Sequence, residues 1–102
     1  MLFGDVPDEV PEAAFRILER EVGTTDVPRS DLEAGIDLAR LLHQTGLTPS
    51  SSEGRRSLSQ GGVYVNGGRP GEPLVSLADL RHDRWVLLRR GRRHHHLLRV
   101  VD

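Results

Sequence analysis

The heptapeptide Gly61-Gly62-Val63-Tyr64-Val65-Asn66-Gly67 constrains this chain more than any other stretch. Paired glycines stop a helix, and Val-Tyr-Val supplies the β-branched and aromatic side chains that strands favour. Asn-Gly is the dipeptide best suited to the two positive φ angles of a tight hairpin turn. The order is therefore helix, strand, turn. A dinucleotide cradle needs the reverse, strand then glycine loop then helix, so these glycines do not make one. Both Gly62 and Gly67 are expected to need positive φ.

The helix ahead of the glycines is unusual. Ser50 can cap it, with Glu53 three residues later, and it should run over about 51–60. Its one large apolar residue is Leu58. Such a helix has no broad face to bury. It should pack through Leu58 and present the remainder, Arg55 and Arg56 included, to solvent or a ligand.

Upstream, Ser30-Asp31-Leu32-Glu33 reads as a second capping box. Leu32, Ile36, Ala39 and Leu42 recur at helical spacing, with Leu38 and Leu41 widening the stripe. Gly46 and Pro49 end that helix. A first helix is expected over roughly 8–22, with Asp8 and Glu9 at its positive end, Gly23 at its stop, and Val10, Ala14, Ile17 and Leu18 on one face. Residues 24–30 read as a polar connection. The chain thus divides into an N-terminal helical segment and linker, 1–30, and a main domain, 31–102. After the Asn-Gly turn, 68–73 is a return loop and 76–83 a short turn of helix or an irregular bridge. "RWVLLRR" and "RRHHHLLRVV" are two strands around Gly91. The expected class is α+β: two short helices packed on a small, mostly antiparallel sheet, with an extra N-terminal helix.

Charge sharpens the functional reading. Residues 1–45 carry four arginines and ten acids, 4 − 10 = −6; residues 46–102 carry ten arginines and five acids, 10 − 5 = +5. All fourteen basic residues are arginine. Lysine's absence fits the codon usage of a GC-rich genome, but the clustering of arginine is a separate fact. Arg55 and Arg56 sit on the polar helix, Arg69 just past the turn, and Arg89, Arg90, Arg92 and Arg93 around Gly91. Guanidinium groups pair bidentately with phosphate, and Ser50, Ser51 and Ser52 at a helix start add donors for an anion. Such a surface binds RNA or DNA with strong salt dependence.

Other chemistries find little support. There is no cysteine, hence neither disulfide nor thiolate site, which fits a cytoplasmic protein. No apolar run approaches a membrane span, and the N-terminus lacks the pattern of a signal peptide. His94 and His96 share a strand face, but no second group of ligands accompanies them, so no metal and no cofactor are expected. Those histidines should face solvent or RNA. Asp79 and Asp83 do not form a catalytic pair, and no nucleophile or phosphate-loop motif occurs, so no catalytic residue is assigned.

Two short helices followed by "GGVYVNG" and a later "LRRG" pair resemble the S4-like RNA-binding domain. The nearer resemblance is to the C-terminal domain of bacterial tyrosyl-tRNA synthetases, where "SKSEARR…GGVYVNG" and "LRRGKKNY" are typical. The counterparts here are "SSSEGRRSLSQGGVYVNG", 50–67, and "LRRGRRHH", 88–95. The likeness covers about residues 31–98, and "LFG" at 2–4 resembles the family's entry into this region. It implies an S4-like fold that grips a tyrosine tRNA near its long variable arm. It assigns the RNA contacts to Ser50, Ser52, Arg55, Arg56, Gln60, Asn66, Arg90, Arg92 and Arg93. It further implies a homodimeric parent ligase whose catalytic domain binds ATP and tyrosine elsewhere; neither class I signature occurs in this chain. Departures are Ser51 for a lysine, Gly54 for an alanine, Arg92 and Arg93 for lysines, and His94 and His95 for an asparagine and an aromatic. Two other readings remain: a free-standing S4-like binder of ribosomal RNA, and an arginine-rich module that meets an acidic protein.

Overall fold

The structure is a computed structural model that describes residues 11–70 and 72–102. Asp8, Glu9 and Val10, assigned above to the first helix, and the stretch 2–4 lie outside the described residues. The elements in order are α1 (Glu12–Glu21), β1 (Gly23–Pro28), α2 (Arg29–Ala34), β2 (Ile36–Asp37), α3 (Leu38–Gln44), α4 (Ser51–Ser59), β3 (Val63–Val65), β4 (Leu74–Val75), a 3-10 turn (Leu77–Asp79), β5 (Trp85–Arg90) and β6 (His94–Val101). The fold is α+β. Its main sheet has the order β1-β6-β5-β3, parallel between β1 and β6 and antiparallel elsewhere, and β2 pairs with β4 in a small second ladder.

The sheet is covered on both faces. On one, Val63, Val65, Val86, Leu88, Leu98 and Val100 pack with Leu32, Leu38, Leu41 and Leu42 from α2 and α3. On the other, Trp85, Leu87 and Leu97 pack with Phe15, Leu18 and Val22, which are carried by α1 and its exit. Strand side chains alternate in direction, so adjacent residues of β5 serve different cores. Phe15 stacks on Trp85 with centroids 5.3 Å apart and planes 4° from parallel. The Trp85 indole N–H donates to Glu19 Oε1 at 2.6 Å, which satisfies its one buried donor. Ile17, expected on the buried face of this helix, is 58% exposed. Phe15, one turn from Leu18, is what docks.

Three expectations about the first half are corrected. Residues 24–28, read as part of a linker, belong to β1 and pair with 97–101. The single helix expected from Ser30 to Gly46 is two, because Gly35 adopts φ 86° and leaves the right-handed helical region. Ile36 and Asp37 then pair with Val75 and Leu74, and the Leu38 N–H donates to Pro73 O at 2.8 Å. Leu32 and Leu42 still face the same core because both helices lie over one side of the sheet. Ser30 is not the cap; Pro28 occupies the cap position of α2, with no side-chain capping bond.

The second half follows its sequence closely. Ser50 Oγ accepts from Glu53 N at 3.1 Å and caps α4. Asn66 (φ 53°) and Gly67 (φ 85°) form the tight turn, closed by Val65 N to Gly68 O at 2.8 Å. Beyond Gly68 the chain leaves β3, whose ladder partner is β5. Positive φ in the paired glycines falls at Gly61 (74°), not at Gly62 as expected.

Helix α4 packs against the core through Leu58, as expected, and is held besides by close backbone approach. Its buried residues are Gly54 and Ser57. A Cβ on Gly54 would lie 2.8 Å from the Ala39 carbonyl oxygen and 3.1 Å from its Cα. Those atoms belong to α3 and cannot swing aside. Gly54→Ala should therefore lower stability: helix propensity returns about 1 kcal/mol, but overpacking costs about 1–3 kcal/mol. Urea denaturation should show a lower midpoint with an unchanged slope. A raised midpoint would mean that α3 and α4 separate freely.

Candidate nucleic-acid interface

Because Gly54 and Ser57 face α3 and the sheet, α4 turns Arg55, Arg56, Ser59 and Gln60 outward, and all four are exposed. Arg56 Nη1 lies 3.5 Å from Glu53 Oε1, and Arg55 Nη2 is 3.5 Å from Ser52 Oγ. Exposed pairs of this kind contribute little to stability, so phosphate oxygens can replace them at small cost.

The second cluster is bound to the exit of this helix. Gly91 (φ 65°) turns β5 into β6, and its N–H donates to Gly62 O at 2.8 Å. Arg90 Nε donates to Ser57 Oγ at 3.2 Å, and its Nη1 donates to Leu47 O at 3.1 Å. These bonds fix the β5–β6 tip, with Arg92 and Arg93 exposed on it, beside the C-terminal end of α4. Arg69 joins the same end: its guanidinium would touch a Cβ on Gly61 at 3.2 Å. Between α4 and the Arg69 loop runs an open groove of about 570 Å³, lined by Arg55, Leu58, Gln60 and Arg69 among others.

The assigned residues thus divide. Arg55, Arg56, Gln60, Arg92 and Arg93 are exposed at one end of the fold. Ser52 lies at the start of α4, about 12 Å from Gln60 along the axis at 1.5 Å per residue. Ser50 has its hydroxyl oxygen occupied by the cap. Arg90 is half-buried and tied as described. Asn66 is the clearest departure. It is buried, its Nδ2 donates to Asp79 O at 2.7 Å, and its Oδ1 accepts from Leu87 N at 3.0 Å. Its amide joins the turn to β5 and to the 3-10 turn, and does not reach the surface.

The histidines also separate. His94 is exposed, whereas His96 shares a 2.6 Å hydrogen bond between its Nε2 and Thr25 Oγ1 on β1. Burial holds the His96 imidazole below its ordinary pKa. Among the described residues, no three His, Cys, Asp or Glu side chains gather as metal ligands. The remaining basic residue of β6, Arg99, is taken up by acids. It binds Asp26 bidentately at 2.8 and 3.1 Å and lies 3.9 Å from Glu19. The hydrogen bond from Arg99 holds the Asp26 carboxyl below its usual value.

Comparison with known proteins bears directly on this arrangement. Residues 19–98 match the family model of the tyrosine–tRNA ligase SYY-like C-terminal domain. The chain belongs to that family. Among its relatives, the tyrosine–tRNA ligase of Opitutus terrae is 33% identical over 99% of this chain and 24% of its own length. That of Rhodopirellula baltica is 34% identical over 100% of this chain and 24% of its own length. The chain therefore spans about a quarter of these curated relatives. A solution structure of a tyrosyl-tRNA synthetase C-terminal domain superposes with a TM-score of 0.67 at 23% identity, covering 99% of both chains. That likeness establishes the fold as the S4-like one of this family.

Arg69, named in the sequence among the clustered arginines, is absent from the contacts that the resemblance assigns because it lies outside the matched stretches 50–67 and 88–95. A signal existed in its position, two residues after the Asn66-Gly67 turn that must bring the chain back past the helix exit.

Two measurements check these assignments. Asn66→Ala leaves the Leu87 N–H and the Asp79 carbonyl without partners, and should cost about 1–3 kcal/mol of stability in urea denaturation. The His96 pKa is lowered on folding, so its proton binds more readily to the unfolded chain. Stability is intact above the ordinary histidine pKa and falls as the pH drops through it toward the depressed folded value. The melting temperature should accordingly fall more between pH 7.5 and 5 for the native chain than for His96→Gln. Parallel profiles would remove His96 as the cause.

Proposed function

We propose that this chain binds tRNA, as the non-catalytic RNA-holding part of a tyrosine–tRNA ligase that acts in the cytoplasm. The observation that carries the reading is the Gly91–Gly62 hydrogen bond, with the Arg90 ties beside it. They bring two exposed arginine pairs, Arg55–Arg56 and Arg92–Arg93, to one end of a rigid fold. Among the described residues neither pair is held in a close ion pair; the nearest carboxylate contact there is the 3.5 Å approach of Glu53 to Arg56.

Helical RNA exposes phosphates and 2′-hydroxyls but hides its base edges in a deep, narrow major groove. Exposed guanidinium groups on a short helix and a strand tip suit that target, since they contact phosphates without reading sequence. Family membership supports tRNA as the RNA, with tyrosine tRNA and its long variable arm as the specific ligand. Catalysis, ATP and tyrosine would then belong to another part of the parent ligase, acting as a homodimer.

The test is a fluorescence titration against a tyrosine tRNA with a long variable arm, competed by a short-arm tRNA at two salt concentrations. The long-arm tRNA should bind more tightly, with affinity falling as salt rises. Replacing both Arg55 and Arg56 with alanine should weaken binding and flatten the log–log salt slope by up to about two, near one for each phosphate no longer neutralised. An unchanged affinity in the folded double variant would remove α4 from the interface. Equal affinity for both tRNAs would favour a general S4-like RNA binder.

A further inference from the structure

The arginines above lie along α4 and at the strand tip. A different group of side chains crosses the sheet on the face that α1 covers. Tyr64 of β3 pairs with Arg89 of β5, and Arg89 pairs with His95 of β6, so the three stand side by side in one row. They share a face with Leu87 and Leu97, because strand side chains alternate. Phe15, Leu18 and Val22 cover that neighbouring apolar row. Among the described residues that apolar cover ends with these side chains, and Tyr64, Arg89 and His95 are each partly open to solvent.

The row is ordered and chemically uniform in shape. The Arg89 guanidinium carbon sits 4.0 Å from the centre of the Tyr64 ring. This is a close cation–π contact, which places the cation over the ring. Among the described residues no carboxylate pairs with Arg89, and its Nε is buried without a hydrogen-bond partner. His95 Nδ1 lies 3.3 Å from Arg93 O, which ties the imidazole to the strand tip. Three planar groups, with an arginine in the middle uncommitted to any acid, thus lie directly beside Arg92 and Arg93.

We propose that Tyr64, Arg89 and His95 form a stacking platform for unpaired nucleotides of the RNA whose phosphates α4 and the Gly91 tip hold. The inference rests on the RNA-binding reading and adds a ligand class to it. A perfect duplex offers no free base face; a loop, bulge or single-stranded extension does. Aromatic rings and guanidinium planes accept any base because each base has a π-face. The row continues the arginine tip without a break: Arg89 lies two residues before Gly91, and His95 two after Arg93. A strand leaving a helix held at that tip would pass over it.

The test uses three hairpin RNAs sharing one stem: blunt, with a short single-stranded extension, and with the same extension lacking its bases. The abasic extension carries the same phosphates, so the comparison isolates stacking. The base-bearing extension should bind at least about fivefold more tightly than the abasic one. Tyr64→Leu and His95→Ala should each remove most of that difference and leave blunt-hairpin binding in place. Tyr64→Phe should keep it. Because the chain has one tyrosine, its ring resonances are unambiguous. They should move upfield with the base-bearing extension and stay put with the abasic one, a readout that needs no variant. Salt-sensitive, Arg55- and Arg56-dependent binding with equal affinity for the two extensions and unmoved Tyr64 signals would overturn the platform alone. Failure to bind any of the three RNAs would overturn the RNA-binding reading and this inference with it.

Discussion

Strand β5 is buried on both sides, and the rest of the molecule is arranged around that fact. Trp85 and Leu87 enter one core, and Val86 and Leu88 enter the other. Four consecutive apolar residues in an antiparallel strand are stable only if helices cover both faces. Hence α1 is required, and it reaches its place through the Phe15–Trp85 stack and the Glu19 contact. The strand then changes character abruptly to Arg89 and Arg90. Cover ends where the charge begins, and that boundary fixes where an interface can lie. Arg90 turns toward α4 and ties down the tip. Arg89 turns the other way, onto Tyr64.

A polar helix on a small domain raises a stability problem, since it has little apolar area to bury. The solution here is close approach. Gly54 lets α4 settle against the backbone of Ala39, and Ser57 gives Arg90 a partner. The helix is thereby fixed through its small residues, and its long cationic residues are left for solvent or ligand. Exposed arginines cost little to keep solvated but much rotamer freedom to order on binding. A helix already fixed in place limits that loss to the side chains.

Legibility in the sequence followed locality. The Ser50 cap, the Val63–Val65 strand, the Asn66-Gly67 turn and the β5–β6 pair all arise within a few residues, and each was readable from turn chemistry and alternation. Strand β1 was not. Thr24 to Pro28 offer a single large apolar residue, Val27, too short a signal for a strand, and they become one because β6, over seventy residues later, offers a parallel edge. Gly35 was equally hidden, since a lone glycine within a helical stripe is often tolerated. For the site, residue type outran position. Asn66 and Arg90 have the chemistry of RNA contacts, but the fold uses both internally; only their hydrogen bonds separate them from Arg92 and Arg93. Arg89 and Tyr64 become a pair only through the β3–β5 register.

The charge asymmetry along the chain becomes a charge arrangement in space. Acids of the first half meet arginines at the Trp85 end of the sheet. Asp26 and Glu19 take up Arg99 there, and in the converse sense Arg29 of the first half binds Asp83 and Asp102 of the second at 3.0 and 2.8 Å. At 3.4 Å per residue this end lies about 17 Å along β5 from Arg90. The opposite end carries Arg55, Arg56, Arg69, Arg92 and Arg93. With a net charge of −1, the molecule as a whole exerts little pull on a polyanion beyond a Debye length of about 8–10 Å. Within that distance, among the described residues, the end that gathers these five exposed arginines attracts most strongly. Such a distribution favours docking of a polyanion in one orientation over general adhesion to nucleic acid.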